Sequence, residues 1–128
     1  MIRNIPNKYD LNLVLEEINE NFRGKFDFFY LPLDFDNKCN LGYSFINFIE
    51  PMHILYFYDI FEGKKWKKFR SLKECHLSFA KFQGKLELCN HLDKSCVLNK
   101  LEIDKRPVIL TICEPYPIVN VPKVIMLI

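Results

Sequence analysis

The stretch from residue 40 to residue 48, Asn-Leu-Gly-Tyr-Ser-Phe-Ile-Asn-Phe, constrains the fold of this chain more than any other. Its side chains alternate in character, which is the pattern of a β-strand. Ile46 and Phe48 fall on one face and suit a core, whereas Tyr43 and Phe45 fall on the other. A half-exposed sheet normally carries polar groups on its second face, so these two rings must meet another element or a ligand.

Composition sets the class of protein. The chain has 128 residues, of which 49% are hydrophobic and 15% aromatic, so it is long enough for one domain with a core and is not a disordered protein. The net charge of +2 neither requires nor excludes a polyanionic partner. Five scattered cysteines without a Cys-x-x-Cys pair favour free thiols inside the cell. With no signal peptide and no apolar run long enough for a bilayer, we expect a protein of the nucleus or cytoplasm that contacts no membrane.

Two amphipathic helices are predicted. Asp10 suits an N-cap, and the apolar residues after it recur at helical spacing until Gly24. Pro51 suits a first helical position, and the second helix ends at Gly63. The residues expected to face the core are Leu11, Val14, Leu15, Ile18, Phe22, Ile54, Phe57, Tyr58 and Phe61. The glutamates expected to form the solvated side of the first helix are Glu16, Glu17 and Glu20.

Four strands are predicted, within residues 1–6, 26–33, 40–48 and 75–81. Pro32 lacks the amide that a central strand needs, which places the second strand at a sheet edge. Leu77 and Phe79 are expected to point inward from the fourth.

The element order predicts an α+β, ferredoxin-like fold, βαββαβ, with a four-stranded antiparallel sheet and two helices on one of its faces. An extra helix is predicted at about 85–93, and the domain is expected to cover residues 1–110. Residues 111–128 form an apolar, proline-containing tail that the sequence leaves open as an edge strand, a cover over the sheet or a loose end.

No catalytic or metal site is predicted. Cys89, His91 and Cys96 lie close together, but a zinc site needs a fourth ligand and a turn that a helix does not provide. No set of His, Asp and Cys residues has an arrangement of acid, base and nucleophile, so we expect neither an enzyme nor a cofactor.

The segment from Gly63 to Arg70 is rich in lysine and arginine, with Trp66 and Phe69 between the cations. Single-strand binders combine cations that attract phosphates with rings that stack on bases. The alternative is that Trp66 and Phe69 anchor a short hairpin against the body while the lysines keep it soluble. The sequence leaves both interpretations open.

The strand at 40–48 resembles the first RNP motif of RNA-recognition motifs, and Met1 to Ile5 resembles the second, with Met1 where an aromatic ring is usual. Longer stretches are similar to the C-terminal RNA-recognition motif of the Mei2-like family of meiotic regulators. The motifs that carry this resemblance are Ile-Pro-Asn-Lys-Tyr at 5–9, Asp-Phe-Phe-Tyr-Leu-Pro at 27–32, Asn-Lys-Cys-Asn-Leu-Gly-Tyr at 37–43, Phe-Ile-Asn-Phe at 45–48, Gly-Lys-Lys-Trp at 63–66 and Arg-Pro-Val at 106–108.

The resemblance implies binding of single-stranded RNA by a monomer. Tyr43 and Phe45 would stack on two bases, Asn47 and Ser78 would bind base edges, and cations would neutralise phosphates. The predicted RNA-binding residues are Met1, Arg3, Lys38, Tyr43, Phe45, Asn47, Lys64, Lys65, Trp66, Lys67, Lys68 and Ser78.

Two other interpretations stay open at this point. The same scaffold can serve as a protein-interaction module, with its sheet face covered by the third helix or the tail and a protein partner in place of RNA. A truncated gene product without activity is suggested by the short first strand. Whether Tyr43 and Phe45 are covered decides between RNA binding and the protein-interaction module.

Overall fold

A computed structural model describes residues 1–34, 36–94, 108–110 and 124–126 of the chain. The order strand, helix, strand, strand, helix, strand, helix confirms the predicted βαββαβ fold with an added helix. Its elements are β1 (Ile2–Arg3), α1 (Leu11–Phe22), β2 (Phe26–Tyr30), β3 (Tyr43–Phe48), α2 (Met52–Phe61), β4 (His76–Leu77), α3 (Lys85–Lys94), β5 (Val108–Leu110) and β6 (Val124–Met126).

The strands form one antiparallel sheet in the order β4-β1-β3-β2-β5-β6. The first four are the predicted strands, and β1 lies between β3 and β4 with Ile2 opposite both Ser44 and Leu77. β5 and β6 extend the sheet beyond β2, so part of the predicted tail adds an edge strand.

The prediction that β2 is an edge strand is wrong. β5 pairs with β2 at Phe28 and Phe29, on the side away from β3. Pro32 does not prevent this pairing because β2 ends at Tyr30, so the missing amide removes no hydrogen bond from the ladder.

The main core lies between the sheet and the two helices α1 and α2. Asp10 caps α1, its Oδ1 accepting a hydrogen bond from the Leu13 amide at 2.8 Å, and this fixes the register in which Val14, Ile18 and Phe22 are buried. Aromatic rings from both helices meet there: Phe22 of α1 contacts Phe57 of α2 at 5.0 Å between ring centroids, and Phe57 stacks on Phe61 at 4.3 Å. Burial of each such ring stabilises the fold by about 1.5 to 3 kcal/mol.

Three expected core contacts are wrong. Ile54 and Tyr58 of α2 are 48% and 54% exposed, and Phe79 is 92% exposed. The cause is the length of β4, which ends at Leu77. The chain leaves the sheet before Phe79, and Ile54, Tyr58 and Phe79 line an open cavity instead of the core.

Glu17 does not belong to a solvated side of α1. It is 4% exposed, and its carboxylate accepts hydrogen bonds from the Tyr9 hydroxyl at 2.7 Å and from the Lys67 amide at 3.1 Å. Burial, followed by the bond to Glu17, raises the pKa of the Tyr9 hydroxyl well above its usual value. Glu17 therefore joins α1 to two loops.

None of the helices in the described parts of the chain has the length and apolar character to span a membrane.

Candidate nucleic-acid interface

Tyr43 and Phe45 lie side by side on the face of the sheet opposite α1 and α2. Their ring centroids are 5.7 Å apart and their planes meet at 80°, an edge-to-face contact. Both side chains are half-buried, and the exposed Arg3 lies opposite Tyr43 on β1. We call Arg3, Tyr43 and Phe45 the aromatic face.

Asn40 fixes the start of β3 and thereby the aromatic face. Its side-chain nitrogen donates to the carbonyls of Pro6 and Tyr9, both at 2.8 Å, and its Oδ1 accepts from the Gly42 amide at 2.7 Å. Gly42 has a φ of +88°, which a residue with a side chain rarely adopts. The turn before Tyr43 is therefore set by hydrogen bonds from a buried amide side chain.

The outward side of β2 is covered. Phe28 and Tyr30 point to the same face as Phe45, yet they are buried with Leu88 of α3 in a second apolar cluster. Phe45 packs against the border of this cluster. Burial raises the pKa of the Tyr30 hydroxyl, with a smaller contribution from Tyr43. The outward face of the sheet thus has two parts. α3 covers the part around β2, and it leaves the part around Tyr43 and β1 uncovered.

The other predicted contacts on this side lie along the edge next to Phe45. Met1 and Ser78 exchange two backbone hydrogen bonds, at 2.9 and 3.0 Å. The side-chain N–H of Asn47 donates a hydrogen bond to Asp27 Oδ1 at 2.8 Å, which holds the Asn47 amide in one orientation. Met1, Phe45, Asn47 and Ser78 line one cavity of about 260 Å³. The fold therefore brings these four predicted residues together.

Trp66 is buried in the main core. It is 3% exposed, its Nε1 donates to the Asn4 carbonyl at 2.9 Å, and its ring meets Tyr9 edge-to-face at 5.2 Å. A base could stack on Trp66 only if this side chain left the core. The predicted stacking of Trp66 on a base is at odds with this burial. Its position is that of the alternative interpretation, in which Trp66 anchors the segment against the body of the domain.

The lysines after Trp66 are paired with α1. Lys67 Nζ forms an ion pair with Glu20, and Lys68 Nζ forms one with Glu16. The bond to Glu20 raises the pKa of the Lys67 amine. We call residues 63–70 the basic segment; Trp66, Lys67 and Lys68 fix it against the helix layer rather than beside the aromatic face.

Among the predicted lysines, Lys38, Lys64 and Lys65 are exposed and lie apart from the ion pairs with α1. Lys38 lies in the loop before β3, with a φ of +57° and its amide bonded to the Asp34 carbonyl at 2.9 Å. Within the described ranges, no ion pair involves any of the three. Their charges are accessible to a polyanion.

No group of three or more His, Cys, Asp or Glu side chains in the described part of the chain is arranged to hold a metal ion. Of Cys89, His91 and Cys96, the last lies outside the described residues.

Sequence reasoning missed the residues that hold α3 on the sheet. They are Phe28, Tyr30, Phe82 and Leu88. A signal was present, because β2 reads Phe-Asp-Phe-Phe-Tyr and so carries rings on both faces, which a solvated face would not.

The chain matches the family described as RNA recognition motif 2 over residues 1–93. The chain belongs to this family. It is 52% identical over 106 residues to Protein MEI2-like 2 of Oryza sativa subsp. japonica, covering 83% of this chain and 12% of that protein. It is 51% identical to Protein MEI2-like 1 of Arabidopsis thaliana over 83% of this chain and 11% of that protein. The Mei2-like resemblance is confirmed, and the chain spans about an eighth of the length of these relatives.

Proposed function

We propose that this chain binds single-stranded RNA on its aromatic face, as a module of a Mei2-like regulator of meiosis. Membership of the RNA recognition motif 2 family supports RNA as the partner. The single observation that carries the choice of surface is the position of Tyr43, a ring on the outward side of the sheet beyond the part that α3 covers.

Stacking supplies most of the affinity in this proposal. One base lies on Tyr43 and a second on the accessible part of Phe45, and each stack contributes about 1 to 3 kcal/mol. Tyr43 should contribute more than Phe45, because part of the Phe45 ring already contacts the cluster beneath α3.

Charged and polar groups around the rings set the register of the strand. Arg3 lies opposite Tyr43 on β1 and Lys38 lies in the loop before β3; both are exposed and bind phosphates. The side-chain N–H of Asn47 donates a hydrogen bond to Asp27, so the amide oxygen of Asn47 is left to accept a hydrogen bond from a base. Ser78 and Met1, which line the same cavity as Asn47, flank that base.

The test compares Tyr43→Ala with Tyr56→Ala. Tyr56 is a 54% exposed tyrosine on α2, on the other side of the sheet, so it is the same side-chain change made away from the aromatic face. Binding to a single-stranded RNA pool, measured by fluorescence anisotropy, should weaken about 5- to 150-fold for Tyr43→Ala. It should stay unchanged for Tyr56→Ala. Equal affinity of the two variants would contradict the proposal.

A second candidate function is a protein-interaction module, which the burial of Leu88 over Phe28 and Tyr30 favours. Leu88→Glu would drive α3 from the sheet, because a carboxylate does not stay in an apolar cluster. If RNA binds only to that variant and not to the wild-type chain, α3 closes the face and the open-face proposal fails.

A further inference from the structure

On the outward side of the sheet, a row of side chains runs from β3 across β1 to β4. Arg3 is paired with Tyr43 on one side and with His76 on the other. Paired residues of neighbouring strands point to the same side, so these three side chains share one face. Ile2 and Ser44, which alternate with them, are fully buried on the inward side. His76 therefore points outward, and 53% of its side chain is exposed.

One more stretch of chain lies beyond β4. Lys65 forms an isolated antiparallel bridge with Glu74, and the Cys75 amide donates to the Lys64 carbonyl at 2.7 Å beside it. Trp66 and Cys75 belong to the main core. Because side chains alternate along an extended chain, Lys65 and Glu74 point to the same side as His76. Lys64, two residues before Trp66, points to the helix side.

This outward row offers a path for a strand of RNA that leaves Tyr43. In the other direction, α3 covers the sheet around β2. Over β4, His76 lies between two neighbouring stretches of chain that carry the exposed cations Arg3 and Lys65. Cations attract phosphates, so an RNA backbone held by both of them passes over His76.

Glu62 fixes the orientation of the His76 ring. Its Oε2 accepts from the Leu77 amide at 2.6 Å, and its Oε1 lies 3.2 Å from His76 Nδ1. These bonds, the first more than the second, lower the pKa of the Glu62 carboxyl, so the group is a carboxylate near neutral pH and can only accept. In the neutral ring, Nδ1 therefore carries the proton and Nε2 is the acceptor. Among the described residues, Nε2 has no hydrogen-bond partner.

We propose that His76 Nε2 accepts a hydrogen bond from a ribose 2′-hydroxyl and so favours RNA over DNA. This inference rests on the proposed function, because it needs RNA on the aromatic face. Phosphate oxygens only accept, whereas the 2′-hydroxyl is a donor that the RNA backbone presents between phosphates and that DNA lacks. Arg3 and Lys65 bind the phosphates on either side of this ribose. Glu62 acts as a positioning residue through the ring of His76.

The experiment measures the affinity of the full chain for a single-stranded RNA pool and for a 2′-deoxy pool with the same bases, at pH 8 by fluorescence anisotropy. His76→Phe keeps a flat ring but removes Nε2. It should weaken RNA about 2- to 12-fold, the loss of one neutral hydrogen bond, and leave the 2′-deoxy pool unchanged. His76→Gln keeps an acceptor near the position of Nε2 and should retain more of the preference for RNA.

Salt dependence checks the path of the backbone with a matched pair of lysines. Lys65→Gln should reduce the slope of log affinity against log salt by about 0.7, which corresponds to one phosphate. Lys64→Gln should leave the slope unchanged, because Lys64 points to the helix side. Glu74→Gln should strengthen binding to both pools, since it removes a negative charge beside Lys65.

Two results would overturn the inference. The first is that His76→Phe weakens both pools equally or weakens neither, since a bond to the 2′-hydroxyl affects RNA alone. The second is an equal salt slope for Lys65→Gln and Lys64→Gln, which would take the backbone away from β4. Tyr43→Ala separates this inference from the proposed function. If Tyr43→Ala weakens RNA binding and His76→Phe does not, the inference alone fails; if neither variant weakens it, the proposed function fails as well.

Discussion

The aromatic face and the basic segment carry the same ingredients of RNA binding, rings and cations, but the fold uses them differently. On the aromatic face, Tyr43 is held by β3 with its ring outside the core and Arg3 beside it. In the basic segment, Trp66 is buried against Tyr9 and two lysines are paired with glutamates of α1. Composition alone therefore does not separate a ring that binds from a ring that anchors.

The difference follows from the neighbours that each ring finds. Trp66 meets a backbone acceptor, the Asn4 carbonyl, together with Tyr9 and Phe61, so burying it satisfies its N–H and its apolar surface at once. Tyr43 contacts Phe45 edge-to-face and is half-buried, so part of its surface is left for a ligand.

The largest expected effect distinguishes anchoring from binding at Trp66. Trp66→Ala removes a buried ring and should lower the free energy of unfolding by about 3 to 5 kcal/mol, measured by urea denaturation. Trp66→Phe keeps most of the apolar contact and should lower it much less. If Trp66→Ala weakens RNA binding while leaving the unfolding free energy unchanged, Trp66 touches the RNA and does not anchor the segment.

The next effect separates the lysines within the basic segment. Replacing Lys64 and Lys65 by Gln should reduce the slope of log affinity against log salt by up to about 1.4, which is about 0.7 for each phosphate that is no longer neutralised. Replacing Lys67 and Lys68 by Gln should leave the slope unchanged, because Glu20 and Glu16 already neutralise them. Equal salt slopes for the two double variants would show that Lys64 and Lys65 neutralise no more phosphates than Lys67 and Lys68 do.

The smallest effect concerns β4, which holds Ser78 beside Met1. Glu62 accepts from the Leu77 amide at 2.6 Å and contacts His76 Nδ1 at 3.2 Å, and these bonds, the first more than the second, lower the pKa of its carboxyl. Because the folded pKa lies below the ordinary 4.5, the carboxylate stabilises the fold above pH 4.5, and this contribution is lost as the pH falls through the folded pKa.

Melting temperatures of the wild-type chain and of Glu62→Gln, measured from pH 7 to pH 3, check this sign. The wild type should melt higher at pH 7, and the difference should shrink below pH 4.5. A difference that is constant over the whole range would show that the charge on Glu62 does not hold β4.

The sequence predicted the elements whose signals are local. The Asp10 cap and the helical spacing after it located α1, and strict alternation located β3 and the two sides of its side chains. What it could not predict depends on partners distant in sequence. β2 has an interior position because β5 pairs with it, and Glu17 is buried because Tyr9 and Lys67 converge on it.

The candidate site was predicted in part for the same reason. Tyr43 and Arg3 were placed correctly on one face because strand alternation is a local property. The cover that α3 puts over β2 does not follow from strand alternation, since docking of Leu88 on Phe28 and Tyr30 depends on how the chain turns after β4.

NMR titration of the full chain with single-stranded RNA would locate the RNA on the aromatic face or on the basic segment. We expect the largest shifts on Arg3, Tyr43 and Phe45, and we expect the Tyr43 ring protons to move upfield as a base stacks on them. Shifts confined to Trp66, Lys67 and Lys68, with the Tyr43 ring unmoved, would contradict the proposal that RNA lies on the aromatic face.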